Sequence, residues 1–180
     1  MKKNFSTFAL PLLAFLFVFT SCKKDDPEEV HEEEEINRVV LSVFQTGASQ
    51  QDTYTWNEGE TIPSIALSAN ATYQVSVSFY DASDASDIEN ITEEVIEEAD
   101  EHYVFFETAG ANLTIASAST DTTDSDNIPI NLNTQWTTAA ASSGSVRVYL
   151  IHEPTTKSGT SRDDFGGETD VEVNFPVTIQ

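Results

Sequence analysis

The residues best suited to chemistry are two histidines that lie among carboxylates. Glu98 and His102 are four positions apart in a glutamate-rich segment, and His152 ends an apolar stretch. On a helix, side chains four apart cover the same surface patch, which gives a divalent ion two ligands. If the end of the apolar stretch meets that patch, His152 is the third ligand. The spacing therefore predicts a site for Zn²⁺ or a similar ion at Glu98, His102 and His152.

Two other interpretations of these histidines stay open. In the first, His102 ends a helix, where the helix dipole and Glu98 stabilise its charge, and it has only a structural role. In the second, His102 or His152 is the general base of a hydrolase, with nearby carboxylates. The sequence contains no nucleophile elbow, phosphate-binding glycine loop, zinc-protease helix or paired-cysteine motif. We therefore expect a protein that is not an enzyme and has no catalytic residues.

Two polar segments have the composition of loops. Residues 121–127 place oxygen-bearing side chains at near-alternate positions, as calcium loops do, but lack the glycine and distal glutamate of an EF-hand. Asp, Asn and Ser also favour turns, which is the interpretation we prefer for this segment. Residues 159–167 resemble a hairpin loop that carries one apolar residue, Phe165, which we expect to be exposed.

Hydrophobic periodicity predicts the elements that position these residues. Residues 90–102 form a short helix, with Asn90 as N-cap, Glu93 completing a capping box, and Ile91, Val95 and Ile96 on one apolar face. Segments rich in Val, Ile, Thr and aromatic residues predict strands. They are 36–46, 51–56, 65–67, 73–80, 103–107, 113–118, 128–132, 146–152 and 170–179.

The last strand has the clearest pattern, because apolar and polar residues alternate from Val171 to Ile179. Pro176 interrupts its polar face and suggests an edge position or a break. Residues 36–180 have the size of a single domain. We predict a mainly β fold, an antiparallel, immunoglobulin-like β-sandwich with one short helix.

The beginning of the chain has the features of an export signal. Lys2 and Lys3 precede an apolar run over 5–19, which is shorter than the roughly 20 residues of a membrane-spanning helix. The tetrapeptide 19–22 resembles the lipobox of bacterial lipoproteins, which implies a signal peptide over 1–21 and a lipidated Cys22. The alternative is an ordinary secreted chain with a free thiol. Lipidation better explains a lone cysteine in an exported protein.

Residues 22–35 form an acidic tether that cannot bury a core. Without Lys2 and Lys3, the chain has six basic side chains against 31 acidic ones, a net charge of −25. Nucleic acid is therefore excluded as a partner. The charge serves solubility in one interpretation and attracts cations or a basic partner in another. Residues 22–26 resemble the signal that exports Bacteroidota-type lipoproteins to the cell surface.

Three segments, 97–106, 148–154 and 166–176, together resemble a family of small Bacteroidota-type lipoproteins, from about residue 34 to the C-terminus. Its members are sometimes labelled "type 1 periplasmic binding fold superfamily". That label implies two α/β lobes, which 36–180 with one recognisable helix cannot supply.

We therefore expect a non-enzymatic binding or accessory lipoprotein. Its partners are the outer membrane, through the lipid anchor, and an outer-membrane transporter. Exposed at the cell surface beside that transporter, it would capture a nutrient or a metal, with Zn²⁺ or another divalent cation as the candidate cofactor. The alternative is that it binds a protein partner.

The lipid anchor can be tested with Cys22→Ser. The variant should leave the outer membrane, because the acyl chains on Cys22 are the only anchor that we predict, and they hold a protein there almost permanently. Membrane fractionation and metabolic labelling with a fatty acid measure both properties. A wild-type protein that takes up no fatty acid would contradict lipidation.

Overall fold

Nine strands form two sheets around one apolar core in this computed structural model, which describes residues 35–180. The predicted signal peptide (1–21), Cys22 and all but the last residue of the predicted tether (22–35) lie outside the described residues. The elements, in chain order, are β1 (Arg38–Gln45), β2 (Asp52–Asn57), β3 (Ile65–Leu67), β4 (Thr72–Tyr80), α1 (Ile91–Glu97), β5 (His102–Ala109), β6 (Leu113–Ser117), β7 (Asn133–Thr138), β8 (Ser142–His152), α2 (Arg162–Phe165) and β9 (Glu168–Ile179).

The predicted β-sandwich is confirmed. The five-stranded sheet has the order β2-β1-β4-β7-β6, and the four-stranded sheet has the order β3-β9-β8-β5. Neighbouring strands are antiparallel except for β3 and β9, which run parallel. Neither helix of residues 35–180 combines the length and the apolar character needed to cross a bilayer.

The core lies between the inner faces of the two sheets, where alternate side chains point inward. Val171, Val173, Phe175, Val177 and Ile179 are all buried along β9, as their alternation predicts. The strand is interior, between β3 and β8. Its pairing with β3 begins only one residue after the proline at position 176, so the missing N–H costs no bond to that strand.

The strand predicted over 128–132 is wrong. Asn127 and Asn131 have positive φ, which interrupts an extended strand. The segment instead crosses between the sheets: the Ile130 carbonyl accepts a hydrogen bond from Val104 of β5, and the Leu132 carbonyl accepts one from Val77 of β4. The strand begins after this crossing, at β7.

The predicted helix over 90–102 is too long, because α1 ends at Glu97. The chain then turns, and His102 is the first residue of β5. The Asn90 side chain makes no cap bond to the backbone and donates to the Glu93 carboxylate instead, at 2.9 Å. Ile96, placed on the apolar face by the sequence, is 45% exposed.

The loop 159–167 contains the one-turn helix α2, which its sequence does not predict. Ser161 and Asp164 form a capping box at its beginning. Phe165 is buried, contrary to expectation, and packs on Tyr103 and Phe105 on the outer side of the four-stranded sheet. This contact covers the apolar part of that outer face.

Removal of the Trp136 side chain should strongly destabilise the fold. Its ring is fully buried between the sheets, where it contacts Phe106 edge-on and donates a hydrogen bond to Thr134. Trp136→Ala should lower the free energy of unfolding by about 3–5 kcal/mol, measured by urea denaturation. The matched control Gln135→Ala, exposed on the same strand, should change it by less than about 0.5 kcal/mol. Equal effects of the two variants would contradict the placement of Trp136 in the core.

Candidate metal centre

The two histidines meet where β5 begins and β8 ends. His102 and His152 are directly opposed in the β5–β8 ladder. Their rings stack with centroids 5.0 Å apart and planes inclined by 7°. The structure thus brings together two of the three residues that the sequence proposed as ligands.

His102 lies on the buried side of this corner and is 3% exposed. Its Nδ1 is 3.1 Å from the backbone oxygen of Glu98 and donates to it, because a carbonyl can only accept. Burial lowers the pKa of His102 below the usual 6.5 and outweighs the opposing effect of this hydrogen bond. His102 is therefore a neutral, structurally engaged imidazole at neutral pH. Glu98 contacts it through the backbone and not through the carboxylate that the sequence proposed.

A different set of ligand atoms surrounds His152. Glu101, His152 and Glu153 each place a ligand atom within 4.8 Å of the other two. His152 Nε2 lies 3.8 Å from Glu101 Oε2. Zinc bonds of about 2.0 Å to nitrogen and oxygen put the ligand atoms of a tetrahedral site about 3.3 Å apart. The 3.8 Å between His152 Nε2 and Glu101 Oε2 is about 0.5 Å longer than that spacing, and imidazole nitrogen and carboxylate oxygens are ligands that a divalent ion of this class accepts.

The backbone explains why two consecutive residues can serve one site. In a strand, His152 and Glu153 would point to opposite faces. Glu153 instead has a backbone φ of +47°, in the left-handed region that residues other than glycine rarely adopt. Its N–H donates to the Glu101 carbonyl at 2.7 Å. Gly167 packs so closely against this bend that a Cβ there would collide with the carbonyl oxygens of His152 and Glu153. The turn thus places both side chains beside Glu101.

Lys157 and Asp124 form a buried ion pair that the sequence pattern does not predict. Lys157 Nζ lies 2.8 Å from Asp124 Oδ2 and donates to the Ala99 carbonyl at 2.6 Å. The two charged side chains are only 7% and 6% exposed. The other oxygen of Asp124 accepts the backbone N–H of Ile128 at 2.8 Å. The Lys157 ammonium thus neutralises Asp124 in the loop 121–127, as a bound cation would. It also links this loop to Ala99, in the turn after α1.

The ion pair also determines how Asp124 titrates. Burial alone would raise the pKa of Asp124, but the Lys157 ammonium and the Ile128 N–H hold it below the usual 3.8. A folded-state pKa below the unfolded value stabilises the fold above about pH 4. This stabilisation is lost as the pH falls through the folded-state value.

No protein-family model, curated protein or solved structure matches this chain. The resemblance to small lipoproteins stays a prediction.

Breaking the buried ion pair should be costly. Lys157→Met or Asp124→Asn should each lower the free energy of unfolding at pH 7 by about 3–5 kcal/mol, because each leaves a buried charge or polar group without its partner. The double variant should cost less than the two together. Urea denaturation of the four proteins measures this coupling.

The control is Glu172→Gln, which breaks the exposed ion pair with Arg147 and should cost less than about 1 kcal/mol. Additive effects at Lys157 and Asp124 would contradict a coupled buried pair.

Proposed function

We propose that this protein captures a divalent cation of the zinc class at Glu101, His152 and Glu153 without catalysing a reaction. The observation that carries the proposal is the convergence of their three ligand atoms within 4.8 Å. Three protein ligands leave a fourth tetrahedral position for water or an incoming ligand. Such an open site suits an ion that is taken up and passed on.

The charge of the surrounding domain supports cation capture. Residues 35–180 contain 24 carboxylates and four basic side chains. All four basic side chains make hydrogen bonds or ion pairs within the described part of the chain. They are Arg38, Arg147, Lys157 and Arg162. The resulting negative field raises the local concentration of cations near the site.

The Glu101 Oε2 and His152 Nε2 atoms are buried, so Glu153 is the ligand of the proposed site that faces solvent. Glu153 is exposed, whereas Glu101 and His152 are half-buried, with 43% and 23% of their side chains exposed. The half-buried position reduces competition from water for the ligands, and the exposed carboxylate can meet an arriving hydrated ion. This gradient of exposure favours binding that is reversible.

We also propose that the protein acts at the outer membrane. The lipobox-like sequence at Cys22 and the acidic tether after it support an anchored, surface-exposed domain. A tether of 14 residues, 22–35, reaches at most about 45 Å. Over that distance, the domain can pass its ion to an outer-membrane transporter held in the same bilayer.

Calorimetric titration of the full protein with Zn²⁺ at physiological salt tests the site. We expect one stoichiometric site, which His152→Ala should weaken by more than about 100-fold, since even outer-shell changes cost 10–100-fold. Glu101→Gln should also weaken binding. The salt screens the diffuse ion cloud beyond about 8 Å but does not remove direct coordination.

Two variants are matched controls. Glu98→Gln removes a carboxylate from the end of α1, and His31→Ala removes a histidine of the tether; both should bind as the wild type does. Equal zinc affinity in the wild type and in His152→Ala would rule out this site. Loss of binding in Glu98→Gln would favour the ligand set proposed from the sequence.

A further inference from the structure

The outer face of the five-stranded sheet carries no carboxylate on its strands, although the described chain has 24. We call this surface the neutral face. Strand register assigns to it Arg38, Val40, Ser42, Phe44, Thr53, Thr55, Asn57, Thr72, Gln74, Ser76, Ser78, Tyr80, Thr114, Ala116, Asn133, Gln135 and Thr137. Its one charged member, Arg38, donates to Asn57 at the end of the face.

The other sheet provides an internal comparison. Glu107, Arg147 and Glu172 cross its outer face as a row of opposed charges. Both outer faces belong to strands that bury their other side, so sheet structure alone does not explain the difference. The neutral face lacks the groups that make the rest of the domain acidic.

A cavity of about 200 Å³ lies in the neutral face. It is lined by Ser42, Phe44, Gln74 and Ser76 of the sheet and by Thr120 of the loop after β6. Within residues 35–180, the side chains of Ser42, Gln74 and Ser76 make no hydrogen bond to another protein group. Hydroxyls and amides both donate and accept hydrogen bonds, and here this capacity is directed to solvent.

We propose that this cavity binds one ring of a neutral carbohydrate. Sugar hydroxyls both donate and accept hydrogen bonds, which matches serine hydroxyls and a glutamine amide. The half-buried Phe44 ring gives the apolar C–H face of a sugar a surface to pack on. The cavity is smaller than the roughly 300 Å³ or more of sites for drug-sized ligands, which fits a single ring.

Charge excludes the anionic class of sugar. The acidic domain repels anionic sugars such as uronates, and the strands of the neutral face carry no carboxylate that could pair directly with the ammonium group of an amino sugar. The cavity uses none of the residues of the candidate metal centre. The proposal of sugar binding therefore does not depend on the proposal of cation capture.

The test is calorimetric titration of the full protein, purified in detergent, with neutral tetrasaccharides of glucose, mannose, galactose and xylose. Tetragalacturonate is the anionic comparison, and a chelator keeps metal out of the experiment. We expect at least one neutral tetrasaccharide to bind and tetragalacturonate not to bind. Gln74→Ala and Phe44→Ala should each weaken binding by about tenfold.

The matched control is Asn174→Ala, an exposed amide on the outer face of the other sheet, which should bind as the wild type does. Circular dichroism verifies that each variant is folded; Gln74 is exposed, so its loss should leave the fold intact. The proposal is overturned if no neutral tetrasaccharide binds at millimolar concentration, or if Gln74→Ala binds as well as wild type. It is also overturned if sedimentation shows a dimer that Ser76→Arg dissociates, because the neutral face would then join two copies.

Discussion

The register between β5 and β8 is the constraint on which the candidate metal centre depends. Val104 and Leu150 are opposed in this ladder and fully buried, and the same pairing places His102 opposite His152. A slip of one residue would turn every side chain of a strand to the other face, which would expose the apolar set and separate the histidines. Near the other end of the ladder, Gly144 approaches Ala109 so closely that any Cβ would collide with its carbonyl, which also resists a slip. Hydrophobic burial therefore fixes the geometry of a polar site that lies at the edge of the core.

Charged side chains are distributed unevenly over this domain, with different charges at different surfaces. The one lysine of residues 35–180, Lys157, is buried against Asp124 and the Ala99 carbonyl in the turn after α1, so its charge is neutralised inside the domain and does not reach the surface. Some of the carboxylates cluster around α1 and the histidine corner, whereas the strands of the neutral face carry none on that side. An acidic end attracts cations, and an uncharged sheet face can accept ligands whose recognition rests on hydrogen bonds. The two surfaces therefore differ in the chemistry they can recognise.

The sequence predicts those strands whose inward positions are all apolar. It does not predict strands with buried polar residues, or residue positions that depend on a turn of the backbone. Strand β9 is evident because each inward position is apolar. Strand β7 is not, because its inward Thr134 and Thr138 satisfy their hydroxyls on the Val75 and Ser68 carbonyls and so lie in the core as polar residues. At the site, residue spacing identifies the glutamate-rich segment and the end of β8 as candidates, but their meeting depends on the β5–β8 register, which the spacing does not determine. The identity of the carboxylates is not predicted either, because it depends on the left-handed conformation of Glu153, which residue spacing cannot reveal.

The burial of His102 has a consequence for its neighbour. A metal ion bound at His152, as proposed, would place positive charge within a few ångströms of the stacked His102 ring, and a protonated imidazole there would repel it. Burial lowers the pKa of His102, so the ring stays neutral at neutral pH and does not oppose the ion. Its Nδ1 hydrogen bond to the Glu98 carbonyl also fixes the ring orientation, and the stacked His152 packs against that fixed plane. His102 thus holds the His152 ring in place by stacking, and its own ring is not among the ligand atoms that Glu101, His152 and Glu153 would contribute to the proposed site.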